Sequence, residues 1–166
     1  MAVELSSGPL SRRALSARVS HDRSMTHQAD QTPAELDPAQ LTASMPFAVH
    51  TGVIVDRASK DSVAGHLDWA PERCTIGGLL HGGALMTLAD TLGAVAAFLH
   101  LPTGASTSTV SSNTALMRPA TKGRISGVAT VINAGRRFIT VRVELSDDAG
   151  KPISTTTQVQ AVLTQP

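Results

Sequence analysis

The sequence predicts an α+β domain, and three observations carry that reading. A helix-length apolar run, Gly82 to Leu99, contains a single charge; the stretches on either side of it alternate apolar and polar residues; and short Pro, Gly, Asp and Asn clusters separate those stretches. Two strands, one long helix and four further strands make an antiparallel sheet with one helix to cover.

The elements follow in chain order. Met1 to Thr42 is rich in Ser, Ala, Arg, Asp, Gln and Pro and has no sustained apolar period, so residues 1–42 are expected to be a disordered tail and residues 43–166 the domain. Arg12, Arg13, Arg18 and Arg23 among Ser and Ala also fit an organelle transit peptide, and Met25 offers an alternative start. Pro38 to Met45 is helix-like. Val53 and Val55 share one strand face, and Val63, Gly65, Leu67 and Trp69 share another, the two strands joined around Ser59-Lys60-Asp61. Beyond the apolar run, strands are expected over Ser106–Met117, Arg124–Asn133, Phe138–Ser146 and Ile153–Leu163. Pro119 to Gly123, Ala134-Gly135 and Asp147 to Gly150 separate them. In the third of these, Ile139, Val141, Val143 and Leu145 alternate with Thr140, Arg142 and Glu144, which gives one packed and one wet face.

Composition narrows the function. A chain of 166 residues, 42% hydrophobic and 16% charged, suits one globular domain. Net charge +1 and 2% aromatics provide neither an electrostatic pull toward nucleic acid nor rings to stack on bases, so no nucleic-acid partner is expected. The single Cys74 can form no internal disulfide, and a cytoplasmic location is expected. A membrane span over Gly82–Leu99 would hold Asp90 in mid-bilayer at roughly 2.5–3.5 kcal/mol. The helix is therefore expected to be buried in a globular core, with no membrane partner.

Inside such a helix an ionised carboxylate needs a partner or a wet cleft, and no Lys or Arg lies within a turn of Asp90. Either Asp90 bonds Thr87, Thr91 or nearby backbone, or it is a general base or nucleophile tuned by burial. Gly82 and Gly83 open the helix, where backbone N–H groups lack partners and glycine admits a ligand closely. Close helix–sheet packing would explain the pair; so would an oxyanion site. Gly82 and Asp90 are eight residues apart, roughly 12 Å along a helix axis. One small carbonyl cannot touch both, so a site using both lies between subunits.

His81-Gly82-Gly83 followed by Leu88-Ala89-Asp90 resembles the signature of hotdog-fold acyl-CoA thioesterases of the phenylacetate-pathway, PaaI-like, type. The similarity continues through Met117-Arg118-Pro119-Ala120, Gly135-Arg136-Arg137 and Asp148-Ala149-Gly150, spanning about Met45 to Leu163. The resemblance implies a curved antiparallel sheet around one long central helix, in homodimers or homotetramers. It also implies an acyl-CoA substrate whose thioester carbonyl is held by the Gly82 amide, while Asp90 of the facing subunit activates water or attacks directly. Thr109 matches the Ser or Thr that positions water in relatives. Thr75 stands where many relatives carry Asn or Gln, so a carbonyl-orienting contact is altered or missing.

Other residues complete the expected site. His81 fixes the turn into the helix and, with Gly83 and Thr75, belongs to the substrate-binding surface. Arg118, Arg136 and Arg137, with Lys122, fall in or beside turns and are either phosphate contacts for coenzyme A or solvated charges. Cys74 has no histidine base placed to activate it, and the six histidines lack metal-ligand spacing, so neither a metal nor another cofactor is expected. A hotdog dehydratase would need a catalytic His working with the carboxylate, and a non-catalytic acyl-CoA-binding module would leave Asp90 structural.

Overall fold

Pro38 opens the first helix from an Asp37 cap whose carboxylate accepts the Ala39 N–H, and the helix ends at Ala43. In the computed structural model, which describes residues 37–164, this helix (α1, Pro38–Ala43) lies against the first strand: the Thr42 hydroxyl accepts the Val55 N–H at 3.0 Å. Asp37 to Thr42 thus belong to the folded unit and not to the expected tail. The tail's arginines and Met25 lie outside the described residues. A second short helix, α2 (Pro46–Thr51), follows. The sequence reading has no such element, because its helical signal is one Pro at the start and a left-handed Gly52 (φ 80°) closing it, with a single buried residue between.

Strands β1 (Val53–Ala58) and β2 (Val63–Asp68) form a hairpin and lead to α3 (Gly82–Phe98); β3 (Ser106–Leu116), β4 (Arg124–Ala134), β5 (Phe138–Ser146) and β6 (Pro152–Leu163) follow. All pairings are antiparallel, in the order β1-β2-β4-β5-β6-β3. The helix touches all six strands, so the sheet curls around it and the core fills the space between. The β5 alternation is realised: Ile139, Val141, Val143 and Leu145 are at most 1% exposed. No helix among the described residues is long and apolar enough to cross a membrane.

Helix and sheet come close because two glycines face each other across β2 and β4. Gly65 pairs with Gly127, and a Cβ on either would press on the Leu92 side chain at 2.7 Å. Leu92, fully buried, sits in that seat. Burying such a leucine contributes about 1.5–3 kcal/mol.

Two bulges set which side chains face the helix at the other edge of the sheet. In β6, Leu145 pairs with Ser154 and Ser146 with Pro152, so Ile153 is the extra residue and both it and Ser154 are buried. The parity of the rest of the strand changes there. Thr156, Gln158 and Gln160 turn inward, while Val159 and Ala161 take the opposite face. In β3, Val110 is the extra residue: Thr109 pairs with Gln160 and Ser111 with Val159. Thr109 and Ser112 therefore both point at the helix beside the glutamines.

Candidate active site

The helix N-terminus is held from both sides before the helix begins. Leu80 N–H donates to Ala120 O at 2.8 Å and His81 N–H to Arg73 O at 2.9 Å. The preceding loop closes through Thr75 N–H to Leu79 O and the left-handed Gly77 and Gly78, conformations that only glycine adopts without strain. His81 is the N-cap: its Nδ1 accepts the Gly83 N–H at 2.8 Å. The expected role of His81 in fixing the turn is thus what its ring does. The Gly83 amide is taken by that ring. The Gly82 N–H has no protein acceptor among the described residues. It remains as the donor that a helix start offers to an anion or a polarised oxygen.

An open pocket of about 260 Å³ borders this amide. Thr75, Leu85, Leu116 and Arg118 line it with Gly82, so three expected site residues, Thr75, Gly82 and Arg118, border one pocket. Cys74 donates through Sγ to Ala70 O at 3.3 Å and bridges Leu80, which makes it part of the loop framework.

Asp90 stands two turns further along the same helix and is exposed there among buried neighbours. Neither Thr87 nor Thr91 holds it: the Thr87 hydroxyl donates to Gly83 O. Its Oδ1 accepts from Gln158 Nε2 at 2.8 Å and from Thr109 Oγ1 at 3.2 Å. Oδ2 has no partner among the described residues. Thr109 in turn accepts from Gln160 Nε2 at 2.9 Å, which leaves the hydroxyl hydrogen for Asp90. The sequence predicts burial for Asp90; in a single chain it is exposed, and its support is the polar inner face of β6 and β3. Gln158 and Gln160, each 0% exposed, are absent from the site expected from sequence. The available signal is Gln158-Val159-Gln160 late in the last strand, with two glutamines at strand spacing.

The three arginines do not gather within one chain. Arg118 N–H bonds Ile153 O at one end of β6, while Arg137 O accepts Val162 N–H at the other, about 30 Å away along an extended strand. Arg118 belongs to the Gly82 end, and the Arg136-Arg137 turn to the Asp90 end. Among the histidines, His66 is paired through Nδ1 with Asp56 at 2.8 Å on the first hairpin, and His100 Nδ1 contacts Ala96 O. At the foot of β2, Arg124 Nε donates to Asp68 at 2.8 Å, and this hydrogen bond lowers the Asp68 pKa.

The fold has counterparts among known proteins. The family model of the thioesterase superfamily matches residues 77–154, a span that includes the helix start and Asp90. A mutant form of thioesterase PA1618 from Pseudomonas aeruginosa superposes with a TM-score of 0.75 at 30% identity, over 81% of this chain and 97% of that one. A Mycobacterium tuberculosis protein provisionally named an esterase, Rv1847, is 27% identical over 125 residues, 74% of this chain and 89% of its own length. Thioesterase HI1161 from Haemophilus influenzae shares the fold, with a TM-score of 0.71 at 24% identity over 75% of this chain and 87% of that one. Similar over nearly the whole length of the Pseudomonas enzyme, and built as one helix in a curved antiparallel sheet, the chain belongs to the hotdog-fold thioesterase superfamily.

Proposed function

We propose that the protein is a PaaI-like cytoplasmic acyl-CoA thioesterase, converting a thioester and water to a carboxylic acid and free coenzyme A in a site shared by two subunits. One observation carries the reading. The same helix presents an unpartnered amide at Gly82 and, two turns away, a carboxylate with one oxygen held and the other free. The amide polarises the carbonyl and holds the oxyanion that forms when it is attacked. Asp90 of the facing subunit supplies the attack, taking a proton from water as base or adding Oδ2 itself to the carbonyl carbon. Collapse of the tetrahedral species expels the coenzyme A thiolate, which takes up the proton that Asp90 removed from water or, on the direct-attack route, a proton from solvent. Were Oδ2 the nucleophile, water would then hydrolyse the resulting anhydride and restore Asp90.

The separation of roughly 12 Å between Gly82 and Asp90 supports assembly from two helices. A two-fold pairing with the helices antiparallel would also carry Arg118 of one subunit toward the Arg136-Arg137 turn of the other, where forked guanidinium groups suit the phosphates of coenzyme A. Two subunits suffice for this, whether or not dimers pair further into tetramers. The test is an acyl-CoA panel, acetyl, hexanoyl, lauroyl and benzoyl, read with a thiol reagent on the wild type and Asp90→Asn. Thiol release that the variant abolishes supports the reading. Saturable binding without release points instead to a non-catalytic acyl-CoA-binding module. A dehydratase is disfavoured because the partners of Asp90 are Thr109 and Gln158 and not a histidine.

A further inference from the structure

We propose that Gln158 is a positioning residue for the reaction, that Gln160 orients Thr109 for the same purpose, and that Gly93 is glycine so that Gln158 can reach Asp90. This rests on reading Asp90 as the reacting carboxylate and says what holds it. An ionised carboxylate only accepts hydrogen bonds, so the atom of Gln158 facing Asp90 is its NH2. One proton of that group goes to Asp90 Oδ1 at 2.8 Å and the other to Ser112 Oγ at 3.3 Å. With the amide fixed this way, Oε1 lies over the helix at Gly93, three residues beyond Asp90 on the same face. A Cβ at Gly93 would overlap Oε1 and come within 2.9 Å of Cδ, so a methyl there displaces the amide first.

Gln160 acts through Thr109. Its Nε2 donates to Thr109 Oγ1, and its Oε1 accepts from Thr107 Oγ1 at 3.3 Å. The Thr109 hydroxyl, already accepting, is left to donate to Asp90 Oδ1. Both donors converge on the same oxygen, which favours one orientation of the carboxylate and leaves Oδ2 without a partner among the described residues, available to react. Both glutamines are fully buried in a core whose strands β1, β2, β4 and β5 present apolar residues and glycine to the helix. Burying two amides there is unfavourable unless they are bonded, and these bonds end on the one free carboxylate of the helix.

The experiment measures kcat, KM and melting temperature on the full chain with whichever of acetyl-, hexanoyl-, lauroyl- or benzoyl-CoA is turned over fastest. Gln158→Ala is expected to lower kcat about tenfold to a hundredfold, the usual effect of losing a hydrogen bond to a charged group, with KM within about twofold of wild type. Gly93→Ala is expected to lower kcat similarly. In the double variant the new methyl enters the space left open by truncating the Gln158 side chain, so kcat falls no further than in Gln158→Ala and the melting temperature is no lower than in either single variant. Gln158→Met keeps the volume without the donor and serves where Gln158→Ala does not fold. A Gln158→Met enzyme with wild-type kcat, or losses that multiply in the double variant, overturns the proposal. If Asp90→Asn is inactive in that same case, the thioesterase reading stands and only the positioning role falls; an active Asp90→Asn removes both.

Discussion

Mixing two dead variants tests whether Gly82 and Asp90 work across a subunit boundary. Gly82→Pro removes the unpartnered N–H that is to hold the oxyanion. The substitution suits the backbone: Gly82 is the first helical residue, and His81 before it is extended at φ −63°, ψ 137°, a conformation compatible with a following proline. An added Cβ would meet only Leu116 Cδ1, at 2.9 Å, the far end of a flexible side chain at the pocket wall. Asp90→Asn keeps size and removes the reacting oxygen. Each variant alone should be nearly inactive, since loss of one oxyanion donor alone costs about 2.7–4 kcal/mol, on the order of a hundredfold to a thousandfold in rate. In a mixed dimer, one site has both groups intact and the other has neither. Random reassociation of equal amounts makes about half the dimers mixed, each with one working site of two, so activity should return to roughly a quarter of wild type. The subunits are refolded together or co-expressed, exchange is confirmed with a mass tag, and thiol release is followed. No recovery in confirmed mixed dimers would refute the cross-subunit assignment and the separation argument behind it.

Other perturbations probe the frame and the support of the site. Leu92→Ala should destabilise the fold by about 3 kcal/mol, read by urea unfolding, because the seat between Gly65 and Gly127 cannot collapse onto a smaller side chain; a loss below about 1 kcal/mol would mean that the seat closes. Thr109→Val should lower kcat about tenfold while Thr109→Ser retains most of it, since the hydroxyl and not the methyl bonds Asp90; equal rates in the two variants would sink that role. Arg124→Ala should weaken the fold slightly at pH 7 and not at all in acid. The Arg124 hydrogen bond lowers the folded pKa of Asp68, so its contribution is present above the unfolded carboxylate value of about 3.9 and is lost as pH falls through the lower folded value. The pair is half exposed, so the difference should be small and should shrink in 1 M salt; an effect that persists in acid would mean that Arg124 acts through packing.

Much of this could be read from the chain because the main elements are strongly periodic. The apolar run with Gly82-Gly83 at its head marks the central helix, and Ile139 to Leu145 marks a strand with one buried face. Short α2 could not be read, because six residues with one buried side chain leave no period to detect. In the site, Asp90 is conspicuous as the single charge on an apolar helix, and Thr109 comes from a family resemblance. Gln158 and Gln160 give no such contrast, since they sit among threonines and a second glutamine passes for a wet strand face.

The reason those glutamines are hidden in the sequence is also the reason they are inside. Simple alternation through β6 groups Ile153 with Val159 and Ala161 and turns that face inward, leaving Gln158 and Gln160 in solvent. The bulge at Ile153 reverses the assignment after one residue, and the bulge at Val110 makes the matching change in β3, so that polar faces of two adjacent strands meet the helix where Asp90 lies. An apolar pattern alone would never select such an arrangement, since it places amides in the core and the Val159 and Ala161 side chains on the outer face. Bulges concentrate where a sheet must re-aim side chains at a site. Here the two bulges and Gly93 act on the same carboxylate from three elements: β6 turns Gln158 inward, β3 turns Thr109 and Ser112 inward, and α3 leaves off a side chain so the amide can reach Asp90. Local departures from ideal sheet and helix chemistry that converge on one oxygen atom are expected of a site that needs its carboxylate held in one orientation.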